Sequence, residues 1–263
     1  MDKHVQDYHL TVCVLASGSK GNAIYVSDGQ AAILVDAGLS GREIERRLQS
    51  RGLHAEDLCA LVLSHEHADH VQGVGVLSRR YRLPVYISRK TAEAAYRLGK
   101  VADTVYFECG EAFQIAGLDI HPISLSHDAE DPAGFTIRSN GLKLGIVTDL
   151  GVVTSMVREH LKGCHALILE ANHDDDMLLN GPYPWPLKQR IRSRIGHLSN
   201  NDSSTLLSDI LHDRLQHVIL AHLSETNNTP EEALRSIAPA LIGSQTQLHV
   251  AQQHRCGELI VVR

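Results

Sequence analysis

Ser64-His65-Glu66-His67-Ala68-Asp69-His70 decides how this chain is read. Four side chains able to ligate a metal, His65, His67, Asp69 and His70, fall within six residues. The stretch follows Leu58-Cys59-Ala60-Leu61-Val62-Leu63, a short apolar run that reads as a buried strand. The cluster therefore sits just past a strand's C-terminal end. In an extended turn, positions two apart project to the same side, so His65 and His67 are placed to share one cation. Asp69 and His70 follow as the chain turns into a helix, within reach of a second cation. Imidazole and carboxylate without thiolate suit Zn, Mn or Fe, and two adjacent open sites suit hydrolysis. A polar loop that only happens to contain three histidines is the plainer alternative. Histidine is too uncommon a residue for that reading to be preferred.

Composition bounds the rest. The 263 residues suffice for one large domain or two small ones. With 43% hydrophobic but only 4% aromatic residues, an aliphatic core of sheets packed on helices is expected. No apolar run is long enough to span a bilayer, and Met1-Asp2-Lys3-His4 lacks a basic-then-apolar signal, so no membrane partner is expected. Cys13, Cys59, Cys109, Cys164 and Cys256 are odd in number and widely spaced, which predicts free thiols in a reducing cytoplasm. The net charge is −6, so contact with nucleic acid has to rest on local basic patches.

Short strands are predicted over residues 10–15, 23–27 and 31–35, with Asp28-Gly29-Gln30 as a hairpin turn. Ile44 and Leu48, four apart, predict a helix over 41–50. Beyond the His-rich loop come a helix over about 70–81, a strand over 84–87, a helix over 89–98 and several strands between 105 and 147. Helix and strand then alternate over 154–161, 166–170, 186–194, 200–213 and 217–221. A helix over 230–238, opened by Pro230, precedes two closing strands. No linker, low-complexity tract or internal repeat interrupts the chain, so residues 1–263 are read as one domain. Periodicity alone gives a mixed α/β chain.

The pattern His-x-His-x-Asp-His after a buried strand resembles the metallo-β-lactamase superfamily. The resemblance implies an αββα sandwich, two mixed sheets flanked by helices, with the ligands on one rim. It also implies where the remaining ligands fall. They are His127 in Ser126-His127-Asp128-Ala129, Asp149 at the end of Lys143-Leu144-Gly145-Ile146-Val147-Thr148-Asp149, and His222 at the end of His217-Val218-Ile219-Leu220-Ala221-His222. On this resemblance His65, His67 and His127 hold one divalent transition metal, and Asp69, His70 and His222 hold a second. Asp149 gives an oxygen to each, opposite a bridging hydroxide. Read without the family, Asp149 is also a plausible strand-end turn. Zn, Mn and Fe all suit such ligands.

Five further segments narrow the resemblance to the bacterial WalJ/YycJ group, over about residues 10–230. They are Ser17-Gly18-Ser19-Lys20-Gly21-Asn22, Thr148-Asp149-Leu150-Gly151, Glu170-Ala171-Asn172-His173-Asp174, Gly196-His197-Leu198-Ser199-Asn200 and Ala221-His222-Leu223-Ser224. This implies a phosphodiesterase with DNA exonuclease activity. Gly196-His197 ahead of Ala221-His222 is similar also to the ribonuclease Z arrangement, in which the earlier histidine assists phosphodiester cleavage. The catalytic residues expected are His197, as proton donor to the leaving alkoxide, and Asp69, which is also a ligand. A capping-loop role for His197 is the alternative.

Substrate contacts are read from position. His173 lies on the expected ligand rim and is a candidate to contact phosphate or to hold Asp149, or else a solvated loop residue. Lys188, Arg190, Arg192 and Arg194 place four cations in seven residues just before His197, paired four apart on one predicted helix. They are candidates to track a phosphate chain, with Trp185 in Tyr183-Pro184-Trp185-Pro186 as a base-stacking group. Ser19 and Asn22 belong to a Gly-Ser loop that could present N–H groups to a phosphate, although a plain hairpin loop is commoner and the P-loop spacing is absent. The other histidines, His4, His9, His54, His121, His160, His165, His212, His217, His249 and His254, lack motif context and are read as surface or structural.

The expected function is a cytoplasmic two-metal phosphodiesterase acting on DNA as an exonuclease, the bridging hydroxide attacking phosphorus in line. One alternative keeps the metals and changes the substrate, to a glyoxalase II-like thioester or lactam hydrolase. That enzyme would need neither the basic segment nor His197. Another is a metal-dependent binding protein without turnover.

Overall fold

A computed structural model describes residues 9–263. The Met1-Asp2-Lys3-His4 stretch and His4 itself lie outside the described residues. Strands β1 (Leu10–Ala16), β2 (Ala23–Ser27), β3 (Ala32–Val35), β4 (Ala60–Val62), β5 (Pro84–Ser88) and β6 (Asp103–Phe107) build the first sheet. Strands β7 (Phe113–Ile115), β8 (Leu118–Ser124), β9 (Ala133–Ser139), β10 (Leu142–Val147), β11 (Ala166–Glu170), β12 (His217–Ala221) and β13 (Gln247–Val250) build the second. The last strand, β14 (Ile260–Val262), returns to pair antiparallel with β1. Each sheet begins antiparallel and ends parallel: β1 to β3 are antiparallel and β3 to β6 parallel, while β7 to β10 are antiparallel and β10 to β13 parallel.

The parallel pairs require crossovers, and these place helices on the outer faces. Over the first sheet lie α1 (Gly41–Gln49), α2 (Ala68–Val71), α3 (Val74–Tyr81) and α4 (Arg89–Ala94). Over the second lie α5 (Ser155–Leu161), α6 (Asp175–Asn180), α7 (Trp185–Ile191), α8 (Asn200–Ile210) and α9 (Pro230–Ile237). Three apolar layers result. Val12, Val26, Ile33 and Val62 meet Ile120, Phe135, Leu144 and Ile168 between the sheets. Ile44, Leu48 and Leu77 seal the first sheet, and Val157, Leu161, Leu206 and Ile237 the second. The chain is thus an αββα sandwich of two mixed sheets, as expected.

Two predicted helices differ in ways that matter. The helix expected over 70–81 is two pieces, α2 and α3. Gly73 N donates to Ala37 O instead of continuing the helix, and a Cβ on Gly73 would stand 2.3 Å from Leu39 O. The helix expected over 186–194 stops at Ile191, so Arg192 and Arg194 leave the helical face they were predicted to share with Lys188 and Arg190.

Candidate metal centre

The strand ends deliver the site residues to one rim. β4 ends at Val62, and Ser64 to His70 follow; β8 precedes His127, β10 precedes Asp149, β11 ends in Glu170 and β12 hands over to His222. Asp149 (φ 60°) and His222 (φ 56°) adopt left-handed backbone, as does Asp36 (φ 60°) just after β3. Such conformations cost about 1–2 kcal/mol for a residue with a Cβ and persist only where the surroundings impose them.

The seven side chains predicted as ligands converge. One nitrogen each from His65, His67 and His127 lies within 4.8 Å of the others, and so do single ligand atoms of Asp69, His70 and His222. Asp149 stands between these groups. Its Oδ2 is 3.3 Å from His70 Nε2, and its Oδ1 is 3.4 Å from His222 Nε2 and 3.8 Å from His127 Nε2. The rings are held from behind through Nδ1. His70 Nδ1 donates to Asp36 Oδ2 at 2.8 Å, and His127 Nδ1 to Gly196 O at 3.0 Å. Ser64 Oγ donates to Asp36 Oδ2 at 2.8 Å and stands 2.9 Å from His65 Nδ1, placed to accept from it. Each such bond fixes the tautomer that leaves Nε2 facing the cluster.

Whether these residues fit a metal can be tested on their hydrogen bonds. Among the described residues, His65 Nε2, His222 Nε2 and Asp149 Oδ2 are buried with no hydrogen-bond partner. Orphaned buried polar atoms are costly, and three pointing into one cluster match the donor set of a divalent metal. Charge agrees. Burial opposes a cation on His70 and His222, yet carboxylates outweigh it: Asp36, Asp149 and Asp69 raise His70 to about 9, and Asp149, Asp69 and Glu170 raise His222 well above the usual range. Burial likewise opposes charge on Asp69 and Asp149, but the imidazoles hold both low. Burial pushes His65 and His127 down, leaving them neutral donors. The residues fit a metal.

Glu170 and Asp36 were not singled out by sequence. Glu170 is fully buried; Oε1 accepts from His197 Nδ1 at 2.7 Å and lies 3.3 Å from His222 Nδ1, while Oε2 accepts from Leu150 N and Leu198 N. Both oxygens are committed to partners that orient the two rings, although Glu170 also stands with Asp149, His197 and His222 in a group of side chains close enough to hold a metal ion. Both acids end or follow apolar strands, the same signal that marks Asp149.

A cleft of about 180 Å³ opens beside the centre, lined by His197, Ser19, Asp128, Tyr183, Leu187 and Arg190. Arg190 reaches it already paired with Asp128 (Nε to Oδ2 2.6 Å). Other predicted contacts differ. Lys188 is buried, its Nζ donating to Leu179 O and Gly181 O, so it braces the segment ahead of α7. Trp185 is exposed outside the cleft lining, and Tyr183 is the aromatic that lines it. Arg192 and Arg194 line a separate hollow. Asn22 is buried; its amide stands 3.0 Å from His70 Nε2, and its backbone pairs with Asp69 and Gly38. His173 is buried rather than solvated, bridged to Ser199, with Nδ1 3.4 Å from Asn172 Oδ1. Among the described residues no helix is long and apolar enough to cross a membrane, and all five cysteines are free.

Comparison with known proteins adds a family. A sequence model described as a beta-lactamase superfamily domain matches residues 31–223. The chain is 38% identical over 245 residues to exodeoxyribonuclease YycJ of Bacillus anthracis, covering 90% of this chain and 93% of that protein. It is 39% identical over 225 residues to exodeoxyribonuclease WalJ of Streptococcus pneumoniae, covering 84% of each. The metallo-beta-lactamase fold protein YhfI of Bacillus subtilis superposes with a TM-score of 0.76 at 17% identity, over 97% of this chain and 100% of its own, a likeness of fold.

Proposed function

Because the chain belongs to the metallo-β-lactamase superfamily, in its YycJ/WalJ group, and is a metal-dependent hydrolase, we propose that it is a two-metal DNA exonuclease. The observation that carries the two-metal reading is the set of three buried atoms without a hydrogen bond, on His65, His222 and Asp149, at the junction of two ligand groups. His65, His67 and His127 would hold one metal, and Asp69, His70 and His222 the other, with Asp149 between them. Bound there, divalent metals supply an activated water and positive charge against the phosphoryl oxygens.

The chain's own residues do the rest. Asp36 and Ser64 keep His70 and His65 oriented, and the Gly196 carbonyl does the same for His127. Glu170 holds the His197 ring by Nδ1, so when the ring is doubly protonated the Nε2 hydrogen is the one it can give to the departing oxygen. Arg190, already at the cleft, is placed to exchange part of its pairing with Asp128 for a substrate phosphate. DNA as the substrate is carried over from the two relatives named as exodeoxyribonucleases. Residues 1–263 acting as one domain, and a cytoplasmic location, complete the reading.

The test is purified protein stripped by a chelator and reloaded with Zn or Mn. It is offered end-labelled DNA, end-labelled RNA and a small thioester. Stepwise shortening of DNA in the reloaded sample alone is the expected result. Turnover of the thioester with intact DNA would replace the proposal by a glyoxalase II-like activity.

A further inference from the structure

The segment 190–197 forms a ridge with a different basic feature on each side. Arg190 and His197 line the cleft. On the other side is a hollow of about 290 Å³ that Arg192, Arg194 and Arg158 line together with Val152, Val153 and Asp202. The ridge is held firmly. Ser126 Oγ donates to Arg194 O at 2.8 Å, Asp128 N to Ile195 O at 3.1 Å, and His197 N to Ile191 O at 2.9 Å. A Cβ on Gly151 would stand 2.4 Å from Arg194 O, so the loop after Asp149 packs directly under it.

Three guanidinium groups around one hollow repel one another, and this chain carries a net charge of −6. Two carboxylates stand near them, Asp202 in the lining and Asp209 beside Arg158, so the cations outnumber the acids. Among the described residues Arg192 and Arg194 form no ion pair, while Asp202 Oδ2 is engaged by Ser199 Oγ at 2.8 Å. Arg158 Nε lies 2.9 Å from Asp209 Oδ2, yet this buried N–H makes no aligned hydrogen bond. Guanidinium groups of Arg192 and Arg194 that hold no carboxylate, converging on a concave surface beside Arg158, are suited to the fork geometry of phosphate oxygens. The hollow is also near the cleft: Arg194 is three residues from His197, at most about 10 Å of extended chain.

We propose that Arg158, Arg192 and Arg194 form a phosphate subsite that grips the nucleic-acid strand one or more phosphates away from the cleft. This rests on the reading of the cleft as a phosphodiesterase site. The strand would cross the ridge, with Arg190 on one side and the three arginines on the other. Arg158, far from the others in sequence, comes from α5 and closes the hollow. The chemistry recognised is a phosphate, either a diester within a strand or free inorganic phosphate; the position beside the cleft favours the strand.

The experiment measures anisotropy of a labelled single-stranded oligodeoxynucleotide on metal-depleted full-length protein across a salt series. It compares wild type, Arg192→Gln/Arg194→Gln and Arg158→Gln. The double variant should weaken binding about tenfold or more and flatten the log–log salt slope by about 1 per arginine. Arg158→Gln, checked by thermal melting because it also faces Asp209, should show the smaller loss of a single cation. After metal reloading, the double variant's ratio of kcat/KM for the oligonucleotide to that for bis(p-nitrophenyl) phosphate should fall by a similar factor. An unchanged salt slope in the double variant overturns the subsite. Displacement of the oligonucleotide by inorganic phosphate at a similar concentration overturns the strand assignment. Wild type that cleaves the small diester without binding DNA overturns the subsite and leaves the phosphodiesterase reading intact. Arginine-dependent binding with no diester cleaved does the reverse.

Discussion

Glu170 Oε1 accepts the Nδ1 hydrogen of His197 at 2.7 Å, and the same oxygen stands 3.3 Å from Nδ1 of His222. One buried carboxylate therefore orients a ring at the cleft and a ring of the ligand cluster. On the proposed function, proton donation by His197 and metal binding by His222 would be coupled through it, and variants on either side of it should separate them.

His197→Ala should retain its metal and lose about two to four orders of magnitude in turnover on DNA, the usual scale for a general acid. A p-nitrophenyl ester, whose leaving group needs no proton, should recover much of that loss. Glu170→Gln should differ by also lowering metal affinity, about 10- to 100-fold, because His222 is held by the same oxygen. Metal lost together with the His197 side chain would make that histidine a ligand.

Elemental analysis of protein purified without chelator should find up to two transition metals per chain, and Asp149→Ala should lower that number. Loading at about a hundred times Kd stabilises by about 2.7 kcal/mol per site, so metal removal should lower the melting temperature by roughly 5–10 °C for each site emptied. Full loading of Asp149→Ala would exclude it from the ligand set.

Lys188 and Arg190, two residues apart, should respond oppositely. Lys188→Met leaves two carbonyls, Leu179 O and Gly181 O, without their donor, and should cost about 1–3 kcal/mol in denaturant unfolding without altering the salt dependence of DNA binding. Arg190→Gln should leave stability within about 0.5 kcal/mol and raise KM for DNA. Equal losses of stability in the two variants would count against this division.

Cys256 Sγ lies 3.9 Å from Cys13 Sγ. The thiol of Cys13 and the Arg51 side chain bring Cys256 down to about 6 against the opposing effect of burial, while Cys13 is pushed up. A lowered pKa means the thiolate is present above about pH 6, so iodoacetamide labelling of Cys256 should rise through that pH and level off near neutrality. Labelling that keeps climbing toward pH 9, the behaviour of an ordinary thiol, would contradict the pairing.

The sequence by itself marked the buried strands and the cluster His65, His67, Asp69 and His70; the resemblance to the superfamily added His127, Asp149 and His222. The first two are local signals: an apolar run sets a buried strand, and a rare residue type just past its end projects from the rim. Asp36 and Glu170 carried half of that signal, an acid at the end of an apolar strand. What distinguishes them is their partners, His70 in α2 and His197 in the loop between α7 and α8, which lie 34 and 27 residues away in the chain and meet them only in the folded molecule. The basic segment shows the same limit. Four cations in seven residues read as one helical face, but the chain leaves the helix at Ile191 because the ridge is pinned by Ser126 and Asp128. Tertiary structure alone then decided that Lys188 turns inward to carbonyls, Arg190 faces the cleft, and Arg192 and Arg194 join Arg158 across the ridge. A charged side chain's direction is set by which backbone groups and carboxylates surround it, and those come from elsewhere in the chain.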